Sequence, residues 1–296
     1  MLRGLFSAKS HPREAEDSQE SLDDLVRRVD EDRWLAARFA DAPGRQRLSA
    51  LYAFVYEISR IPEAVRQPAL GAIRLQWWRD AVDAIYAGRP AGAVDNEVAA
   101  GLADLVAWAS LDRAVIDAFI DAREKDLDER PFEQWPEFEA YVDDTAGAVI
   151  RLAAKVCAPD LMQTNQHLAL LRNAGRVWGY TGLVRALPVW NERRRTFFPQ
   201  KLLDHVHLSR DALFSGGTLH ETSAACRAVL ERAVSAHREV RRLAFGAPKE
   251  FFPAFGYVAL VPDYMRALDR PYDGAAKLPL LRRQWRLLTA SATGQV

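Results

Sequence analysis

The sequence predicts an all-α domain of about ten helices, and three observations carry that expectation. Apolar residues recur at three- and four-residue steps along most of the chain. Two-residue alternation is scarce, and no Asn-Gly or Asp-Gly hairpin signal flanked by alternating apolar residues appears. The interruptions carry Gly and Pro: Gly88-Arg89-Pro90, Arg130-Pro131, Ala158-Pro159, Ser215-Gly216-Gly217 and Ala247-Pro248.

Taken in order, residues 1–20 read as a disordered arm, because residues 10–20 are polar and acidic with no apolar period. Residues 21–296 form one domain. Ser21, followed by Asp24, Leu25, Val26 and Val29, has the chemistry of a helix start. Leu48, Leu51, Tyr52, Val55 and Ile58 mark the next face, then Ile73, Trp77, Ala81, Ala84 and Ile85. Val98, Leu102, Leu105 and Val106 follow, and then Val115, Ile116, Phe119 and Ile120. Further helical segments are expected near 137–157, 165–187, 219–244 and 252–268, with short connections.

Composition narrows the function. The 296 residues are 49% hydrophobic, with 40 Lys+Arg against 40 Asp+Glu. A neutral chain lacks the basic excess of a nucleic-acid binder. Two cysteines in no ligand spacing, Cys157 and Cys226, exclude a disulfide framework and a zinc site. Met1–Lys9 is too short and mixed for a signal peptide, and no apolar run reaches membrane-span length, so the expected location is the cytoplasm. No Ser/His/Asp signature, P-loop or Gly-rich dinucleotide turn is present. Asp117 and Asp121 stand one helical turn apart, with Asp126 beyond. Such a pair chelates a metal on a buried face, or forms local ion pairs with Arg123 and Lys125 on a solvated one.

Five stretches together are similar to squalene/phytoene synthases, in that family's order. They are Leu48–Phe54; Gly71–Asp80, the most specific; Lys125–Asp128 with Tyr141 and Ala146–Val149; Gly175–Leu187; and Arg193–Pro199. The resemblance spans about residues 30 to 270. It implies a single-domain isoprenoid synthase fold with helices around a central cavity. The family's reaction joins two prenyl diphosphates head to head. It begins by ionising one of them against Mg²⁺ held by paired aspartates on two facing helices.

Here the first pair falls on Ser59 and Glu63, with Arg60 at a further aspartate position, and the second on Ala186 and Trp190. Three of the four carboxylates are missing. A guanidinium beside a bound cation costs roughly 4 kcal/mol per unit pair at about 4 Å and an effective dielectric near 20. Pro62 and Pro188 lie inside the same two turns, so both helices are expected to kink or stop there.

The pattern resembles the family's non-catalytic branch, the assembly factors of respiratory complex I. This implies a pseudoenzyme with no cofactor. Its partner would be a complex I subunit or assembly intermediate, and its contact with the inner membrane at most peripheral, for which Arg193, Arg194 and Arg195 are candidates. The ligand-cavity candidates are Tyr52, Tyr56, Glu63, Gln76, Trp77, Arg79, Asp126 and Arg185; Tyr52, Tyr56, Ser59 and Glu63 are expected along one helix side. Two alternatives stand beside this reading. One is an active prenyltransferase with a displaced Mg²⁺ site drawn from Glu63, Asp80, Asp83 and Asp126. The other is a non-catalytic isoprenoid or quinone carrier.

Overall fold

A computed structural model describes residues 20–65, 67–89, 96–128, 130–216, 219–268 and 278–296. The expected N-terminal arm lies outside the described residues, apart from Glu20. Every regular element among them is helical. The order is α1 (Leu22–Val29), α2 (Glu31–Ala37), α3 (Ala42–Ser59), α4 (Ile61–Ala64), α5 (Pro68–Tyr86), α6 (Glu97–Ala109), α7 (Arg113–Glu124) and α8 (Trp135–Val142). A π-helical turn, Asp143–Gly147, joins α8 to α9 (Ala148–Cys157). Then come α10 (Asn165–Arg185), α11 (Leu187–Glu192), α12 (Gln200–His205), α13 (Arg210–Ser215) and α14 (Leu219–Ala244). The chain continues through α15 (Phe252–Phe255), a 3-10 turn (Gly256–Leu260), α16 (Val261–Ala267) and α17 (Leu280–Thr293).

There are more pieces than the roughly ten expected, and proline explains much of the difference. Pro43, Pro62, Pro68, Pro136, Pro188, Pro253 and Pro262 each stand in the first turn of a helix. There a missing N–H costs nothing, while continuation from the preceding helix is disfavoured. Side-chain caps fix other starts. Ser21, Asp30, Asp41, Asn96, Asp112, Thr164 and Ser209 each accept a backbone N–H of the following turn.

The helices bury two adjoining apolar clusters. The larger gathers α1–α3, α5–α7, α9, the first half of α10 and the Phe251–Tyr264 stretch. The smaller is aromatic, built on Phe138, Tyr180, Phe197 and Phe198 with Leu187 and Leu203. The long α10 crosses both and packs along α14. Gly175 of α10 meets the π-helical turn so closely that a Cβ there would lie 2.4 Å from the Cα of Gly147. The two backbones touch, and α10 has a fixed height against α9.

Candidate functional site

Ser59 and Glu63, and Ala186 and Trp190, the positions that the sequence resemblance equates with metal-binding pairs, sit at two helix breaks of one design. α3 ends at Ser59, and Arg60 has φ −82° and ψ −8°. α10 ends at Arg185, and Ala186 has φ −85° and ψ −1°. Each break residue is followed by a buried aliphatic residue, Ile61 or Leu187, and then by proline. Each new helix starts from the break residue: Ala64 N–H donates to Arg60 C=O at 3.0 Å, and Trp190 N–H to Ala186 C=O at 3.1 Å. The prolines thus divide the turn that would align two carboxylates on one face.

The side chains at these breaks do not gather into a ligand set among the described residues. Ser59 keeps a buried hydroxyl without a partner. Arg60 pairs with Glu57 at 3.0 Å on its own helix and lies over Tyr56 at 5.4 Å. It therefore turns to the surface instead of standing beside a cation site, which replaces the charge-repulsion argument made from sequence. Glu63 is exposed and faces Arg193 at 3.4 Å. Tyr52 and Tyr56 lie along α3 with Ser59, but Glu63 leaves that line because the chain bends at Arg60.

Arginine, tyrosine and single carboxylates fill the interior between α2, α10 and the C-terminal helices. Arg33 donates to Tyr257 Oη at 3.3 Å and pairs with Asp30 at 2.6 Å. Its guanidinium sits 5.6 Å from the Tyr52 ring and 5.4 Å from Tyr257. Burial works against the Arg33 charge, but Asp30 and Tyr257 outweigh it and hold its pKa above the ordinary range. Burial, with Tyr257 nearby, pushes the Tyr52 phenol well above its usual pKa, and its hydroxyl has no partner. Asp32 accepts from Tyr264 Oη at 2.6 Å and Arg283 at 3.0 Å, with Arg185 at 4.0 Å. Arg185 lies 3.6 Å above the Tyr264 ring.

Asp126, like Asp32, is a buried carboxylate. It accepts from Tyr141 Oη at 2.6 Å and from Arg123 at 3.0 Å. Burial first, then the Asp126 charge, raise the Tyr141 pKa far above that of a free phenol, so Tyr141 is a donor at neutral pH. Arg195 reaches the carbonyl oxygens of Asp126 and Leu127. A small cavity of about 20 Å³ remains there, bordered by Asp126, Tyr141, Trp190 and Arg195.

The other sequence candidates fall elsewhere. Gln76 is exposed and donates to Asp80 at 2.9 Å. Trp77 is 42% exposed, and its neighbour Trp78 is the buried one, edge-on to Phe54 at 5.3 Å. Arg79 pairs with Asp121 at 2.7 Å and Glu124 at 3.3 Å on the outside of α7. Gln76, Trp77 and Arg79 therefore lie on the outward side of α5, not in the interior with Tyr52. Asp83 pairs with Arg113, which also holds Asp117 at 3.1 Å. The α7 acids thus form surface ion pairs, with Arg79 and Arg113 as partners in place of Arg123 and Lys125. Burial raises the thiol pKa of Cys157 and of Cys226 to about 12. Of the buried groups, sequence reasoning named Tyr52, Asp126 and Arg185 but missed Asp32, Arg33, Tyr257, Tyr264 and Arg283.

This donor set does not fit a magnesium diphosphate centre. No three His, Cys, Asp or Glu side chains gather as ligands among the described residues. Asp32 and Asp126 are each saturated by arginine and tyrosine. The buried polar atoms left over include the hydroxyls of Tyr52, Ser59 and Thr181 and the Nε of Arg123 and Arg185, none of them a carboxylate.

The squalene/phytoene synthase family profile matches residues 26–289. A Bos taurus protein, NADH dehydrogenase (ubiquinone) complex I assembly factor 6, is 26% identical over 276 residues, covering 90% of this chain and 78% of that protein. The presqualene diphosphate synthase of Rhodopseudomonas palustris is 26% identical over 182 residues, covering 60% of this chain and 61% of the enzyme. A crystal structure of a dehydrosqualene synthase with ligand matches with a TM-score of 0.78 and 13% identity, over 92% of this chain and 94% of that one. At that identity the likeness shows the fold, which is the isoprenoid synthase fold.

Proposed function

This chain belongs to the squalene/phytoene synthase family, and we propose that it is a non-catalytic member that binds a protein partner during assembly of respiratory complex I. One observation carries the non-catalytic part. Both turns that would present paired aspartates are broken at a proline, and the one carboxylate left in them, Glu63, is exposed and paired with Arg193. Ionising a prenyl diphosphate requires neutralising the leaving group, and this interior offers arginines already committed to Asp30, Asp32 and Asp126. The partner rests on the similarity to proteins named complex I assembly factor 6 across most of the chain. In this reading the protein keeps the scaffold and uses its surface.

Two measurements test the two halves. Purified protein incubated with Mg²⁺ and farnesyl or geranylgeranyl diphosphate should release no diphosphate. Magnesium-dependent release would restore the prenyltransferase reading. Deleting the gene in its own host should leave complex I incompletely assembled and NADH oxidation by membranes reduced. Fully assembled, fully active complex I in the deletion strain would overturn the assembly role.

A further inference from the structure

α17 presents two unlike sides. Leu287 and Ala290 are buried against the rest of the molecule. Leu281, Trp285 and Leu288, spaced i, i+4, i+7, occupy the opposite side and are 80%, 68% and 56% exposed. These large apolar side chains form an exposed ridge along one side of the helix. At the C-terminal end of α17, Arg238, Arg241 and Arg242 of α14 and the following Phe245 share a depression of about 410 Å³ with Thr293 and Gln295. Phe245 is 88% exposed.

Basic side chains outnumber acidic ones on α17 and on the last turns of α14, where Glu239 is the one acid. Arg238 and Arg241 make no ion pair among the described residues, and Arg242 is held by Glu239. Glu231, an exposed acid of α14, lies two turns further back. On α17 itself, Arg282 and Arg286 share the one buried carboxylate of Asp263 with Arg266, which leaves positive charge in excess. The sequence pointed instead to Arg193, Arg194 and Arg195 as a membrane contact. The structure commits those to Glu63, Asp211 and backbone carbonyls.

Exposed Trp, Leu and Phe rimmed by arginine are the chemistry of a helix lying in a lipid headgroup layer. A helix-binding protein groove would be concave and apolar on the partner's side, and nothing in the ridge selects one. We propose that the outer side of α17, with the end of α14, docks on a membrane surface rich in anionic phospholipid. Trp285 and its leucine neighbours enter the headgroup boundary, and Arg238 and Arg241 meet phosphate groups. This goes beyond the assembly role and stands without it.

The test is co-sedimentation of the full chain with vesicles. The protein should bind vesicles of equal parts phosphatidylcholine and phosphatidylglycerol, more weakly at raised salt, and should not bind phosphatidylcholine alone. Arg238→Gln with Arg241→Gln should weaken binding about thirtyfold. Trp285→Ser with Leu288→Ser should weaken it tenfold or more, at an unchanged melting temperature. The arginine pair keeps the test sound if the apolar variant fails to fold. Failure to bind the mixed vesicles, indifference to lipid charge, or equal binding by the variants would overturn the proposal. So would loss, in the variants, of an acidic protein captured by the unsubstituted chain that binds no vesicle, because the face would then be a protein interface.

Discussion

Arg60 and Ala186 share nearly one backbone conformation, and each precedes a buried aliphatic residue and a proline. Their surroundings differ. Before the first break stands Ser59, whose hydroxyl has no partner. Before the second stands Arg185, stacked on Tyr264 and drawn to Asp32. Beyond the first break, α4 is four residues long and Glu63 and Ala64 are exposed. Beyond the second, α11 runs on beside the aromatic cluster, with Trp190 against it. One backbone device therefore serves two ends: a surface corner at α3 and an interior corner at α10. The same backbone device has different energetic surroundings, because only the second corner is built into a charge network with Asp32.

Substitutions can break this contrast or sharpen it. The largest effect is expected from Asp32→Ala, which leaves Arg185 and Arg283 without their shared carboxylate in the interior. It should cost about 3–5 kcal/mol in urea unfolding. A cost under about 1 kcal/mol would mean the second corner does not depend on this network. Next come Ile61→Ala and Leu187→Ala, both buried aliphatic anchors, each expected to cost about 2–5 kcal/mol. If only Leu187→Ala is severe, the first corner is held by backbone alone. Pro62→Ala and Pro188→Ala should each shift stability by less than about 1 kcal/mol, since a first-turn proline acts mainly on the unfolded chain. Smallest is Glu63→Gln, at the exposed corner, expected within about 0.5 kcal/mol. A larger loss would show that the Glu63–Arg193 pair ties α4 to the turn after α11.

The helix breaks were legible because proline acts locally: Pro62 and Pro188 interrupt a turn whatever surrounds them. The face of α5 was less so. Two adjacent tryptophans point about 100° apart on a helix, so one at most faces the core. The apolar period through Ile73 and Trp77 competed with the one through Gly71, Leu75, Trp78 and Val82, which is the buried one. The deciding signal was Gly71, where a Cβ would meet Leu127 at 2.5 Å. Of the interior charge network, only Tyr52, Asp126 and Arg185 were legible, and none of their pairings was. Arg33 finds Tyr257 across 224 residues, and Asp32 finds Tyr264 and Arg283 across 232 and 251. No periodicity links such partners, and a lone Asp-Arg pair near an N-terminus reads as a solvated helix start.

The contact between Gly175 and Gly147 bears on how such a chain can drift. Backbone against backbone leaves no slack, so the first half of α10 behaves as a register pin, unable to slide or roll past α9. The last turn, from Gly182 to the break, has no such approach: a Cβ at Gly182 would meet nothing within 4 Å. A substitution in that last turn can alter the surroundings of Arg185 without moving the pinned stretch. One helix is in this sense divided into a stretch that tolerates almost no added bulk and a last turn with room to vary, so the element that fixes the fold also borders the part of the interior most open to change.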